Sequence, residues 1–359
     1  TSILEPPTTV TERKAADGSG VIKVYIEGLI WRSQIQRQNK RLRKLRVLTM
    51  ILVAGSANLD FVVRAPHIPA PGETVLGRDF KTFPGGKGAN QAVASAKAGG
   101  APTHMLLGLG NDAFASPLES SLQSAGVTMH IVRTPDHPTG TAFICVSDDA
   151  ENAITVAPGA NAELRPDHLP SLAGFTHLLL QLETPLDTVT AYAQAARAKG
   201  VQVVLNAAPA RPLPAELLAL VDVLVVNEGE LAVVSGHQGS IAACLERLAV
   251  PTVVVTLGHH GSCARHLDGF VLQSAFPITP VDTTGAGDTF CGSLVAALSQ
   301  GKDLPTALRF ASASSALACT RWGAQSSIPD TAEVQALLDA SPISDPASES
   351  ALRSFCGLN

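Results

Sequence analysis

Aromatic side chains are scarce in this 359-residue chain. They make up 4% of it, with two tryptophans and two tyrosines. That argues against a surface that works by stacking bases. An excess of positive charge is missing too: 26 Lys and Arg stand against 31 Asp and Glu, a net charge of −5, which argues against nucleic acid as a partner. The six cysteines (145, 244, 263, 291, 319, 356) contain no CxxC pair. The pattern excludes a zinc site and a disulfide frame, and it fits a reducing, cytoplasmic setting. No uncharged apolar run approaches the roughly 18–20 residues needed to span a bilayer, so no membrane anchor is expected. What the chain has instead is aliphatic bulk. Hydrophobic residues are 45% and charged residues 16%, enough for a large buried core.

The ends differ from the middle. Seven basic residues and no acid lie between Trp31 and Arg46. Residues 1–49 read as an N-terminal extension outside the fold. A disordered or loosely helical tail, a transit peptide, and a segment preceding a natural start at Met50 are all open readings. The stretch 341–359 is rich in Ser, Pro and Asp and reads as a loose tail.

Between them, over 50–335, apolar β-rich runs alternate with alanine-rich helical stretches. The runs predict core strands over 51–55, 104–109, 176–181, 201–205, 221–226 and 252–257. Each is nearly continuous in apolar residues, as in strands buried on both faces of a parallel sheet. Helices are expected over 89–98, 114–125, 186–199, 241–249 and 289–299. The alternation implies an α/β fold with a doubly wound, mostly parallel sheet flanked by helices. Two stretches, 61–83 and 140–156, carry strand-like patterns without a helix attached. They predict a small antiparallel lid outside the main sheet, able to exclude water from a ligand.

Several weak motifs fall where strands end, at the rim where open α/β sheets bind ligands. GSANLD (55–60) places Asn58 and Asp60 there, an amide and a carboxylate that suit neighbouring sugar hydroxyls; a plain Asx turn is the bland alternative. GGKGAN (85–90) opens a helix with small residues and one cation, Lys87, but lacks the Walker spacing. QLE (181–183) ends a strand with Glu183. NEGE (227–230) sets Asn227 and Glu230 three apart. That spacing suits a hydrated Mg²⁺ and equally a capping box. TLGHHG (256–261) is a glycine turn able to cradle a nucleotide. GLGNDA (108–113) is rejected as a dinucleotide motif, and His259–His260 as a metal site. VDTTGAGDTF (281–290) is the sharpest. Gly285 and Gly287 precede an apolar helical run, so the turn is a ready anion site, yet Asp288 stands inside it. The conflict resolves if residues 285–288 hold a transferring phosphoryl group while Asp288 takes the proton of the attacking hydroxyl.

VDTTGAGDTF and GGKGANQAVA resemble the two signatures of the ribokinase-like (PfkB) carbohydrate kinases. GSANLD, PGETV, PGANA, QLE, NAAPAR, TLG and RWGAQ also occur in the family's order. The resemblance covers about 50–330. It implies ATP-dependent phosphorylation of D-ribose at O5, with Asp288 as base and Gly285, Ala286, Gly287 and Asp288 as the anion hole. It further implies Asn58, Leu59, Asp60, Gly86, Lys87, Gly88, Ala89, Asn90 and Glu183 around the sugar. Asn227, Thr256, Leu257, Gly258, His259, His260, Gly261, Gly287 and Ser312 would meet the nucleotide. Glu230 would organise Mg²⁺ through water. Asp282, Thr284, Ala318, Arg321, Gly323 and Ser327 would hold an activating K⁺. A homodimer through the lid is implied as well. Ser312 and Trp322 depart from the expected pattern. The alternatives are a related sugar kinase, such as one acting on deoxyribose, and a non-catalytic sensor. A phosphosugar kinase would need more basic residues than Arg64, Arg78 and Lys81 in the lid. Loss of the base or of the glycines would mark a sensor, and Asp288, Gly285 and Gly287 are all present.

Overall fold

Alternate residues of the first apolar run face opposite ways. Ile51 and Val53 join one buried cluster, Leu52 and Ala54 another. That period of two is what a strand with helices on both faces requires. The computed structural model describes residues 49–149, 151–267, 269–341 and 346–358. The main sheet holds β1 (Met50–Ala54), β4 (Thr103–Gly110), β5 (Thr128–Thr134), β8 (Phe175–Leu180), β9 (Gln202–Asn206), β10 (Val223–Asn227), β11 (Thr252–Thr256), β12 (Gly261–His266) and β13 (Gly269–Ser274). Its order is β13-β12-β11-β10-β9-β8-β1-β4-β5. Pairing is parallel from β5 to β11 and antiparallel only at β12 and β13. The six expected strands are all present, shifted by a residue or two. Of the three others, β5 and β13 are the two edge strands and β12 lies beside β13, and partly exposed residues break their apolar runs.

The remaining two pairs, β2 (Asn58–Arg64) with β3 (Arg78–Gly85) and β6 (Gly140–Val146) with β7 (Asn152–Ala157), form a separate sheet ordered β3-β2-β6-β7. The two hairpins are antiparallel as expected, but β2 and β6 pair in parallel. Both leave the same edge of the parallel sheet, one after β1 and one after β5, so they run outward side by side.

The helices are α1 (Lys87–Lys97), α2 (Ala115–Ser124), α3 (Leu186–Ala198), α4 (Ala215–Leu218), α5 (Glu228–Ser235), α6 (Ile241–Glu246), α7 (Ala286–Ser299), α8 (Leu304–Ala318), α9 (Thr331–Ala340) and α10 (Pro346–Phe355). Two of them matter most for the site. A Cβ on Gly292 of α7 would lie 2.3 Å from the Gln91 carbonyl oxygen of α1. Only glycine lets these helices approach so closely. The expected loose tail is corrected in part: α10 is amphipathic, and it buries Leu352 and Cys356 in the second cluster. Two buried residues in a polar stretch dock it. Residues 1–48 and 342–345 lie outside the described residues, so the reading of the N-terminal extension does too.

Candidate active site

The turn before α7 is built for an anion. Gly285 caps the helix at φ 73, a conformation that favours glycine, and a Cβ there would press on Ala324 at 3.1 Å. Ala286 spends its N–H on the Thr283 carbonyl at 3.2 Å. The N–H groups of Gly287 and Asp288 find no acceptor among the described residues, as first-turn donors do. A Cβ on Gly287 would meet nothing within 4 Å, because Gly287 borders two cavities. One, of about 150 Å³, is lined by Lys87, Asn206, Asn227, Glu230, Thr256, Gly285, Gly287 and Asp288. The other, of about 410 Å³, is lined by Thr256, Gly258, His259, Gly261, Phe276, Ile278, Gly287 and Ser312 among others.

Asp288 is buried, yet both carboxylate oxygens are bonded. Asn90 Nδ2 donates to Oδ2 at 2.9 Å and Gln91 Nε2 to Oδ1 at 2.9 Å. These donors sit side by side on α1, held against α7 by Gly292. The sequence pointed to Asn90 and overlooked Gln91. Behind Asn90, Gln325 Nε2 donates to its Oδ1 at 3.1 Å. The Cys291 thiol beside Asp288 is pushed up by burial, then by the Asp288 and Glu230 charges, and stays protonated.

On the side expected to hold the sugar, β1 ends at 54 and its continuation folds back against the start of α1. Ser56 Oγ donates to Glu183 Oε2 at 2.5 Å, and the Lys87 N–H donates to the same oxygen at 3.2 Å. Asn58 is buried, and its Oδ1 accepts from Asn161 Nδ2 at 2.8 Å. Asn161 also brackets Ala57, taking its N–H at 3.0 Å and donating to its carbonyl at 3.1 Å. Gly86 sits at φ 87, and a Cβ there would press on the Asn58 nitrogen at 2.7 Å. Gly88 and Ala89 are buried against the same turn, with the Ala89 N–H donating to the Ser56 carbonyl at 2.9 Å. Leu59 is core. Its side chain packs, and only its backbone is left for a ligand. Asp60 is raised to about 7, first by burial, then by the neighbouring charges of Glu183 and Asp288, against which Lys87 acts. Lys87 in turn is held protonated by Asp288, Glu183 and Glu230. Four acids and one lysine thus share one rim. Ser56 and Asn161 were missed because a serine in GSAN and an asparagine in PGANA look like ordinary turn residues.

On the side expected to hold the nucleotide, Asn227 and Glu230 form the reciprocal capping box. The Asn227 N–H donates to Glu230 Oε2 and the Glu230 N–H to Asn227 Oδ1, each at 2.8 Å. Glu230 is nevertheless buried at the smaller cavity, and burial raises its pKa. Leu257 is core, and the His260 ring stacks on Phe355 with centroids 4.0 Å apart. The TLGHHG turn therefore offers the larger cavity Thr256, Gly258, His259 and Gly261 but not these two side chains. Ser312 does line it.

The expected cation loops are tied together by Asp282. Its Oδ1 accepts from the Thr284 N–H and its Oδ2 from the Gly323 N–H, both at 2.9 Å. The Arg321 guanidinium pairs with Glu333, and the Ala318 carbonyl accepts the Arg321 N–H at 3.2 Å. Ser327 Oγ donates to the Ala324 carbonyl at 2.9 Å. Trp322 lies under Arg64 of β2, the guanidinium 4.8 Å from the ring centre. The residue that departs from the pattern thus links the lid to this loop.

Residues 48–331 match the pfkB family carbohydrate kinase model. The chain is 38% identical over 301 residues to the ribokinase of Haemophilus influenzae, covering 80% of this chain and 98% of that one. Among solved structures, ribokinase from Thermotoga maritima superposes with a TM-score of 0.76 at 36% identity, covering 81% of this chain and 99% of that one. The Arabidopsis thaliana ribokinase complexed with ribose and ATP gives 0.75 at 34% identity, covering 82% and 99%. Fold, site and relatives agree: the chain belongs to the pfkB family of carbohydrate kinases.

Proposed function

We propose that this chain transfers the γ-phosphoryl group of ATP to O5 of D-ribose, giving ribose 5-phosphate and ADP. One observation carries the reading. A buried carboxylate, Asp288, stands in the first turn of α7 with both oxygens fixed by amides of the sugar-side helix, beside free helix N–H groups. Asp288 takes the O5 proton as O5 attacks phosphorus, and the bond from phosphorus to the bridging oxygen of ADP breaks. A weak base serves where proton transfer is late. The Gly287 and Asp288 N–H groups and Lys87 meet the charge on the phosphoryl oxygens. Asn58, Asp60, Glu183 and Asn90 read the sugar hydroxyls.

Among the described residues no cluster of three or more His, Cys, Asp or Glu could cage a metal. The site fits a Mg²⁺ that arrives on the phosphates, keeps its waters and meets Glu230 through one. Such an ion neutralises phosphate charge. For K⁺, the loops joined by Asp282 would supply backbone carbonyls and the Ser327 hydroxyl. The Arg321 side chain is engaged by Glu333, which leaves its carbonyl. Leu76, Phe80, Phe143, Ile154 and Val156 are exposed on the lid. An apolar face of this kind supports a homodimer formed lid to lid. All six cysteines are free, in keeping with a cytoplasmic location.

The test is ATP consumption with Mg²⁺ and K⁺, comparing D-ribose, 2-deoxy-D-ribose, D-fructose and fructose 6-phosphate. The expected result is a strong preference for ribose. Preference for another of these sugars overturns the substrate and keeps the Asp288 chemistry. No turnover with any of them overturns both.

A further inference from the structure

Gln91 is fully buried and makes three hydrogen bonds. Nε2 donates to Asp288 Oδ1 at 2.9 Å and to Asn206 Oδ1 at 3.0 Å, and Oε1 accepts from Gln181 Nε2 at 2.7 Å. The orientation of each amide follows from its neighbours. Asn206 Nδ2 donates to the Val225 carbonyl at 3.1 Å, and a carbonyl can only accept, so Asn206 must turn Oδ1 toward Gln91. A carboxylate likewise only accepts. Gln91 must therefore direct both hydrogens of Nε2 at Asp288 and Asn206, leaving Oε1 for Gln181. Gln181 and Asn206 stand where β8 and β9 end. The chain of amides thus ties a carboxylate on α7 to the parallel sheet through one side chain of α1.

We propose that Gln91 is a positioning residue for the phosphoryl-transfer step: with Asn90 on Oδ2, its bond to Oδ1 fixes the rotamer of Asp288, so that a remaining lone pair of the carboxylate aims at the attacking hydroxyl. The proposal rests on Asp288 being the base. Gln91 itself touches neither substrate. Its effect must therefore fall on turnover and on the ionisation of Asp288, in a rim that also holds Asp60, Glu183, Lys87, Glu230 and Cys291.

The experiment is steady-state kinetics across pH for Gln91→Met, a substitution of similar length with no donor. A fall in kcat of about 10–100-fold is expected, the size seen when a partner that orients a functional group is removed. KM for ribose and for ATP should stay within about threefold. The acidic limb of the kcat profile should move to higher pH, because the carboxylate loses a donor that favours its charged form. Unchanged kcat and profile in folded Gln91→Met overturns the proposal. So does a kcat loss with an unmoved limb and KM raised for both substrates, which is the mark of a general structural defect. Should that variant fail to fold, Gln181→Met leaves Gln91 in place and removes the donor that anchors its Oε1. It should then lower kcat in the same direction by a smaller factor, and wild-type kinetics there overturns the proposal. Asp288→Asn separates the two ideas: if it retains turnover the base assignment falls, whereas an inactive Asp288→Asn beside a silent Gln91→Met sinks only the role of Gln91.

Discussion

The two halves of this site are made of different material. On the sugar side, side chains bond side chains: Ser56 to Glu183, Asn161 to Asn58, Asn90 and Gln91 to Asp288, all behind the first turn of α1. On the nucleotide side the larger cavity is walled mostly by glycines, prolines and aliphatic or aromatic carbon, with Ser312, Ser315, Thr256 and Thr283 as its hydroxyls and His259 and Cys319 beside them. A site that fixes hydroxyls by buried hydrogen bonds rejects a ligand lacking one by large factors, since its own polar groups are then left unpaired. A carbon-walled cleft discriminates weakly. Selectivity in this enzyme should therefore be strict for the sugar and loose for the base of the nucleotide.

The largest effect belongs to the residue where the halves meet. Asp288→Asn should lower kcat by about 10³-fold or more, while calorimetric binding of ribose and of ATP persists. Near-wild-type turnover would remove the general base and with it the meeting point. A smaller loss, about 10–100-fold in kcat/KM for ribose, is expected for Asp60→Asn, with KM for ATP unchanged. Asp60 also carries a pH signature. Its pKa is raised to about 7 by burial and by Glu183 and Asp288, so it is neutral below that pH and an acceptor-only carboxylate above it. Ribose KM should fall as pH rises through about 7, and Asp60→Asn should flatten that limb. A wild-type KM that does not change across this range would place Asp60 outside the sugar contacts.

The same contrast explains what could be read in advance. The strands that carry the site are long apolar runs, and the motifs at their ends stand in plain sequence order, so β1, β8, β10 and β11 and the residues Asp60, Glu183 and Asp288 were legible. Edge strands such as β5 were not, because TMHIVRT is half-exposed and carries no continuous apolar run. Neither were Ser56, Gln91, Asn161 and Asn206. Each is a polar residue whose partner lies between 19 and 197 positions away, and no local spacing encodes such a pair. Gly292 belongs here as well. Inside a helix it reads as a weak point, and its purpose emerges only from the Gln91 carbonyl facing it. The tail was misjudged for a related reason: the buried residues that dock it are Leu352 of α10 and Cys356 just beyond it, too few to register against a polar background.

A monovalent cation should act on neither half directly but on the turn between them. Asp282 holds Thr284 and Gly323 together just ahead of Gly285, so a bound K⁺ would firm the anion hole. Activity in sodium-only buffer should be several-fold lower and return on adding K⁺, with kcat moving more than either KM. Insensitivity to K⁺ would remove the cation assignment and leave the turn to its own hydrogen bonds, those of Asp282 among them.

The smallest effect should come from the nucleotide wall, and it tests the comparison most directly. The Ser312 hydroxyl lines a cleft whose walls are mostly carbon, among them Phe276, Pro277 and Ile278. If shape and backbone hold the nucleotide, Ser312→Ala removes one solvent-replaceable hydrogen bond, worth about 0.5–1.5 kcal/mol. KM for ATP should then rise by no more than about tenfold, with ribose KM and kcat unmoved. The preference for ATP over GTP should also stay modest in both proteins. A loss of two orders of magnitude at Ser312, or a steep preference for ATP that vanishes in the variant, would mean that the base is read by a hydrogen bond after all. The nucleotide half would then be as exacting as the sugar half, and the carbon walls would serve to exclude water rather than to select by shape.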